Sequence, residues 1–101
     1  MQNLDNRKKL GKLDQASGES WKKFQDFNAA VMAEGAISVK NKELIALAVA
    51  LTTQCGYCLE LHRQGAEKAG ASQEEIAETV MIAGALRAGA ALTHGTQILK
   101  D

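Results

Sequence analysis

The chain is built around one apolar run in its middle, Leu44-Ile45-Ala46-Leu47-Ala48-Val49-Ala50-Leu51. A run of this length is compatible with a buried strand, but its alanines and leucines, and the charged residues just before it, favour a helix. We predict that this helix covers about residues 39–54 and that Ser38 caps its N-terminus. Because the run is apolar on all sides, it should be the central helix, covered by its neighbours on most faces.

The composition predicts an all-α fold. Proline is absent and seventeen of the 101 residues are alanine, which favours helix nearly everywhere. We expect one compact multi-helix domain over residues 17–101, preceded by an N-terminal arm over residues 1–16. Helical spacing places the other helices at about 21–35, 56–69, 73–89 and 90–99, with Gly89 as the break between the last two. The N-cap candidates before the first of these are in Ser17-Gly18-Glu19-Ser20, so that helix can start near Ser17, and Ser72 with Glu75 forms a capping box before residues 73–89.

Charge and hydropathy exclude several classes of partner. The chain has twelve basic and twelve acidic residues and a formal net charge of zero, and the two signs are interleaved, so no nucleic-acid partner is expected. The first residues lack the apolar core of a signal peptide, and the longest apolar run is too short to span a bilayer. We therefore expect a cytoplasmic protein with no membrane partner, a setting in which C-x-x-C is more often catalytic or metal-binding than structural.

Both cysteines follow the central helix, in the sequence Cys55-Gly56-Tyr57-Cys58-Leu59-Glu60-Leu61-His62. Thiols at C-x-x-C spacing can form a disulfide and often have a lowered pKa. If a helix begins near Gly56, His62 lies one turn from Cys58 on the same face, where its imidazole can accept the thiol proton. Glu43, twelve residues before Cys55, is the obvious carboxylate to orient that imidazole. The pattern predicts a thiol redox site.

The two cysteines have different predicted roles at this site. An oxidant such as a hydroperoxide would convert one thiolate to a sulfenic acid, and the second thiol would condense with it to a disulfide. We assign the first attack to Cys58, because it shares a face with His62, and the resolving step to Cys55. The position of Cys55 nearer the helix N-terminus is an argument for the opposite order.

Two other interpretations of the same residues stay open at this point. The spacing C-x-x-C-x-x-x-H supplies three ligands suited to zinc, with Glu43 or His94 as a conceivable fourth, although no second ligand pair exists. Alternatively, the cysteines are simply packed side chains and the histidine is partly buried. On that view Glu43 is an exposed acid near a helix N-terminus. The redox interpretation itself requires no cofactor.

The chain resembles AhpD-like proteins, within the carboxymuconolactone decarboxylase family, in its active-site motif. That motif is Glu43, eleven residues, Cys55-x-x-Cys58, three residues and His62. The likeness extends from about Trp21 to Leu99. It implies an all-helical fold and peroxidase or disulfide reductase activity. It also implies homo-oligomers, often trimers or hexamers.

Residue roles carry over from this resemblance position by position. Cys58 would attack the hydroperoxide substrate, Cys55 would resolve it, and Glu43 and His62 would form a proton relay. The reductant would be a thiol, from a lipoylated or thioredoxin-like protein. AhpD proper has a histidine where this chain has Tyr57, which alters part of the relay. The decarboxylases that give the family its name lack the cysteine pair, so the thiols argue against decarboxylation here.

The distance between Glu43 and His62 is a difficulty for this site. In a straight antiparallel hairpin that turns at Gly56, His62 would lie opposite about residue 50, and Glu43 would be roughly 10 Å further along at 1.5 Å per residue. Contact would then require a steep helix crossing, a bridging water or a Glu43 from another subunit. A second subunit is expected in any case, since so short a chain has little room to bury Trp21, Phe24 and the rest of its apolar residues.

Overall fold

The computed structural model describes residues 4–101. Its four α-helices are α1 (Gly11–Met32), α2 (Val39–Thr53), α3 (Gly56–Lys68) and α4 (Gln73–Gly95). A 3-10 helix over Leu4–Leu10 precedes α1, and a second one over Thr96–Ile98 follows α4. No strand occurs within residues 4–101, which confirms the all-α prediction. Residues 1–3 of the predicted arm lie outside the described residues.

Helix α2 occupies the centre of the fold, as the apolar run predicts. It packs against both α3 and α4 and is also touched by α1. The Ser38 hydroxyl accepts the N–H of Asn41 at 3.2 Å and so caps the first turn. Leu47 and Ala50 are buried between the helices, whereas Ile45 and Val49 on another face are about half exposed. The helix is therefore covered on fewer faces in a single chain than its sequence predicts.

Both ends of α2 are tied to α4 by side chains. Near the start of α2, the Lys40 ammonium bonds the Glu75 carboxylate at 2.9 Å. Near its end, Arg87 Nη1 donates to the Thr52 carbonyl at 2.6 Å. Glu75 also completes the predicted capping box, because it accepts the N–H of Ser72 while Ser72 accepts the N–H of Glu75. These contacts fix α4 along one side of α2 and leave the other side to α1 and α3.

Two helix boundaries differ from the prediction. Helix α4 does not break at Gly89 but continues to Gly95, because a single glycine in a helix costs only about 1 kcal/mol against alanine. Helix α1 begins at Gly11, within the predicted arm, and the predicted start near Ser17 is a kink at which φ is −145° and ψ is 52°. The capping residues around position 17 thus bend a longer helix instead of starting one.

Candidate functional site

The two cysteines lie at the start of α3 and are joined in a disulfide. Cys55 is the N-cap residue, and its Sγ accepts the backbone N–H of Cys58 at 3.2 Å. Both sulfurs are thus at the positive end of the helix dipole. That position stabilises a thiolate whenever the pair is reduced, and thiolate is the nucleophilic form of cysteine.

His62 and Glu43 form a direct hydrogen bond within one chain. His62 Nδ1 lies 2.6 Å from Glu43 Oε2, and the two side chains are 18% and 16% exposed. Because an ionised carboxylate only accepts hydrogen bonds, this pairing holds a proton on Nδ1. In the neutral ring Nε2 then carries the lone pair, so the contact prepares the other nitrogen to act as a base.

The predicted 10 Å separation of these residues is wrong because the hairpin turns earlier than expected. Helix α2 ends at Thr53, and Gln54 in the left-handed region (φ 58°) starts the reversal that ends at the first residue of α3. The turn is therefore centred on Gln54 and Cys55, and residue 47, rather than residue 50, lies opposite His62. Glu43 is then only about 6 Å further along the axis, a distance that two side chains span. No second subunit is needed to bring Glu43 to His62.

A cavity of about 540 Å³ lies next to Cys58 and His62. It is bounded by the end of α1, the segment after it and one face of α2, and sequence patterns gave no sign of it. Cys58 is among its lining residues and Cys55 is not. Most of the remaining wall is apolar: Val31, Met32, Ile37, Ile45, Ala46, Val49 and Ala50. A molecule in this cavity would therefore lie beside Cys58 and His62 in a mainly apolar surrounding.

Lys42 holds one wall of the cavity in place. Its ammonium donates to the carbonyl oxygens of Val31 at 2.7 Å and Ala33 at 2.6 Å. These carbonyls belong to the end of α1, where the helix leaves acceptors unpaired and its dipole favours a cation. The ammonium is thus engaged by α1, although its residue lines the cavity. No sequence pattern predicts this role of the lysine, because the role depends on where the end of α1 lies in space.

A second cavity, of about 320 Å³, lies on the far side of the histidine. Glu43 lines this cavity and not the first, whereas His62 lines both. The imidazole is therefore a shared wall between the Cys58 side and the Glu43 side. This arrangement allows His62 to take up a proton on the Cys58 side. Glu43, which does not line the cavity on that side, can then stabilise the protonated ring.

The outward face of α3 carries a separate group of charges. Arg63 bonds both Glu60 and Glu67. The hydrogen bond from Arg63, together with one from Gln64, lowers the pKa of Glu60. Because these exposed charges pair with one another, they belong to the solvated surface of the helix and not to the thiol site.

The structure does not assemble the ligand set that the zinc interpretation requires. Within residues 4–101, no three His, Cys, Asp or Glu side chains are grouped as metal ligands. His94, the conceivable fourth ligand, lies in the last turn of α4, with its ring 3.4 Å from Gln97. The four residues predicted for redox chemistry, in contrast, are joined in two pairs, Cys55 with Cys58 and Glu43 with His62.

Comparison with known proteins identifies relatives over most of the chain. Residues 19–101 match the family model of the carboxymuconolactone decarboxylase family. A Paracoccus denitrificans protein named "uncharacterized protein 4 in cox locus" is 40% identical over 90 residues, which are 89% of this chain and 81% of that protein. A Haemophilus influenzae protein is 39% identical over 60 residues, covering 59% of this chain and 53% of its own length.

Two crystal structures have the same arrangement of helices. A protein from Methanobacterium thermoautotrophicum superposes with a TM-score of 0.80 at 30% identity, over 85% of this chain and 97% of its own. The apo form of a carboxymuconolactone decarboxylase family protein from Legionella pneumophila gives a TM-score of 0.78 at 33% identity, over 91% and 82% of the two chains.

Proposed function

Since the chain belongs to the carboxymuconolactone decarboxylase family, we propose that it is an antioxidant thiol peroxidase of the alkyl hydroperoxide reductase type. The observation that carries the proposal is the arrangement around His62. Its Nδ1 is bonded to Glu43 at 2.6 Å, and its ring lines the same cavity as Cys58, which is paired with Cys55. Nucleophile, base, orienting carboxylate and resolving thiol are thus all supplied by one chain.

The proposed reaction begins with the reduced pair. His62 takes the proton of the Cys58 thiol, and the thiolate attacks the outer oxygen of a hydroperoxide. The oxygen–oxygen bond breaks, Cys58 becomes a sulfenic acid, and the leaving alkoxide takes the proton from His62 and departs as an alcohol. Cys55 then attacks the sulfenic sulfur, and water leaves as the disulfide forms. The two thiols have supplied the two electrons that reduce the peroxide.

An organic hydroperoxide fits this site better than hydrogen peroxide. The cavity beside Cys58 has room for several carbon atoms, and its walls are mainly aliphatic side chains, as in sites that bind apolar small molecules. The Lys42 ammonium is already engaged by two carbonyl groups of α1. We therefore propose an uncharged alkyl chain next to the peroxide group.

The enzyme cycle requires a thiol reductant to open the disulfide after each turnover. Exchange proceeds by attack of an external thiolate on one sulfur of the pair, so a lipoylated or thioredoxin-like protein is the proposed partner. We place the protein in the cytoplasm, where such reductants operate and disulfides are rarely structural.

We propose a homo-oligomer on the basis of apolar surface that one chain leaves exposed, and a trimer or hexamer on the basis of the family resemblance. Residues 73–98 are long and apolar enough to cross a membrane by length and composition alone, and only 11% of an apolar 18-residue stretch within them is buried. The same helix contacts α2 through Arg87 and Glu75, as expected of a helix that packs in a protein. Covering its exposed side with further copies of the chain removes this surface from water.

The test is peroxide consumption by the reduced protein, with thiols titrated before and after. The wild type should consume about one cumene hydroperoxide per subunit without reductant and lose both thiols, and should turn over when dihydrolipoamide is added. Cys58→Ser should be inactive. Cys55→Ser should react once and stop at a sulfenic acid that a dimedone probe labels.

Other outcomes would contradict parts of this proposal. If Cys55→Ser loses the first oxidation and Cys58→Ser keeps it, the roles of the two cysteines are reversed. If the disulfide exchanges with dithiols while no hydroperoxide is consumed, the protein is a thiol-disulfide oxidoreductase and not a peroxidase. Stoichiometric zinc binding with no turnover would support a metal-binding module instead.

A further inference from the structure

Gly65 lies inside α3, one turn after His62 and three residues before the helix ends at Lys68. Glycine is the poorest helix former apart from proline, and this position is neither a turn nor a helix cap. A glycine here therefore weakens α3 locally, and its surroundings give a reason for it.

The space that a side chain at Gly65 would need is filled by Glu43. A Cβ atom built on Gly65 would lie 2.6 Å from Glu43 Cδ, 2.7 Å from Oε2 and 2.8 Å from Oε1. Each of these distances is shorter than the van der Waals contact of a carbon atom with such a neighbour. Gly84 and Gly89 in α4, in contrast, have no atom within 4 Å of the same position.

We propose that Gly65 is a positioning residue. Because it has no side chain, the Glu43 carboxylate can lie against the backbone of α3, and we call this place for the carboxylate the seat. The seat matters because Oε2, the oxygen that bonds His62 Nδ1 at 2.6 Å, is also one of the atoms that a methyl group would displace. The hairpin brings Glu43 to the level of residues 62–66, and the glycine lets its carboxylate approach the helix closely enough to reach the imidazole. Its effect on the reaction rate rests on the thiol chemistry proposed above, whereas the seat itself does not.

The variant Gly65→Ala tests this directly. The displaced atoms are the far end of a flexible side chain, so the carboxylate can swing away and the fold should be retained. Thermal stability should stay the same or rise, because alanine is the better helix former. His62 should lose its partner, and ¹⁵N chemical shifts of its ring should change from the Nδ1-protonated tautomer toward the Nε2-protonated one, as they should in Glu43→Ala. This measurement uses the oxidised protein and needs no peroxide.

The kinetic expectation is a loss shared with Glu43. Gly65→Ala and Glu43→Ala should each slow oxidation of Cys58 on the order of tenfold, less than the 10²- to 10⁴-fold that a general base itself supplies. The double variant should be no slower than either single one, because both changes remove the same contact. Gly11→Ala makes the same substitution at an open position in α1, away from the exposed side of α4, and should change neither the tautomer nor the rate.

Each other outcome has a definite meaning. If Gly65→Ala keeps the Nδ1-protonated tautomer while Glu43→Ala loses it, the seat does not exist. If the tautomer changes as expected but the wild type consumes no hydroperoxide, the seat stands and the proposed function fails. If Gly65→Ala does not fold, it is combined with Glu43→Ala in a double variant. If the double variant folds, the clash with Glu43 was the cause, which supports the seat. If it does not fold, the glycine is needed for the backbone of α3 itself, and the proposal is overturned.

Discussion

At the scale of single residues, the proposed chemistry depends on the imidazole of His62. Its ring separates Cys58 from Glu43, and both it and the carboxylate are mostly shielded from water. Shielding strengthens the hydrogen bond between them and makes an unpaired partner costly. Such a pair can hold α2 and α3 together or can take part in proton transfer, and pH dependence is the property that separates the two roles.

We expect His62→Ala to slow the oxidation of Cys58 by about a hundredfold or more at pH 7. The loss should disappear above about pH 9, where a cysteine thiolate forms without help from a base. The measurement is a pH profile of the single-turnover rate of the reduced protein with cumene hydroperoxide. The control is His94→Ala, which removes the other histidine and should leave the profile unchanged. A rate that falls equally at every pH would mean that His62 is structural.

At the scale of the helices, the position of α4 depends on a small group of polar contacts at its N-terminus. The hydrogen bond from Lys40 and the backbone N–H of Ser72 both lower the pKa of Glu75 below its ordinary value of 4.5. A carboxyl whose pKa is lower in the folded state stabilises the fold above its unfolded pKa. That contribution is lost as the pH falls through the folded value.

Glu75→Gln separates the ion pair from the cap, because glutamine can still accept the Ser72 N–H in a capping box. The thermal midpoint should fall by at most a few degrees at pH 7, since the pair is near the surface. The difference from wild type should close as the pH falls below about 4.5 and through the lowered pKa of Glu75 in the folded state. The control, Glu74→Gln, removes a charge from the same turn. All variants are compared at one protein concentration, because association shifts the midpoint. A difference that does not shrink as the pH falls below 4.5 would rule out the ion pair as its cause.

At the scale of the whole molecule, the single chain is more extended than its length requires. Its radius of gyration is 16.9 Å and its extents are 56 × 33 × 28 Å, against about 13 Å for a compact chain of 100 residues. The second half of α4 projects apolar side chains into solvent, with Leu86 65% and Leu92 76% exposed. In α1, Phe24 is 53% and Phe27 66% exposed, so these aromatics are not core anchors of the single chain. All of this surface is available to other copies.

We expect Leu92→Glu to dissociate the proposed homo-oligomer. The leucine touches little within its own chain, so a charge there should leave the subunit folded, whereas a charge buried between subunits without a partner is strongly unfavourable. Gln73→Glu adds the same charge at the other, polar end of α4 and should leave assembly intact. Sedimentation velocity of the three proteins at micromolar concentration is the measurement. A wild type that is monomeric and fully active would contradict the proposal.

Much of this structure could be predicted from the sequence, because it depends on local chemistry. The helix propensity of an alanine-rich chain without proline gives the all-α fold, and the capping residues Ser38 and Ser72 mark the starts of α2 and α4 correctly. The spacing of Glu43, the cysteines and His62 identifies the family. The prediction failed at Gly89, because glycine weakens a helix by less than the rest of α4 supports it.

The geometry of the site depended on the tertiary structure. Where the hairpin turns decides whether Glu43 reaches His62 in its own chain, and an error of two residues at that turn became several ångströms at the site. The seat at Gly65, the clamp of Lys42 on the end of α1 and the cavity beside Cys58 all join residues that are distant in sequence. Propensity and periodicity describe each helix along its own axis. Only the packing of α1, α2 and α3 fixes which side chains meet between them.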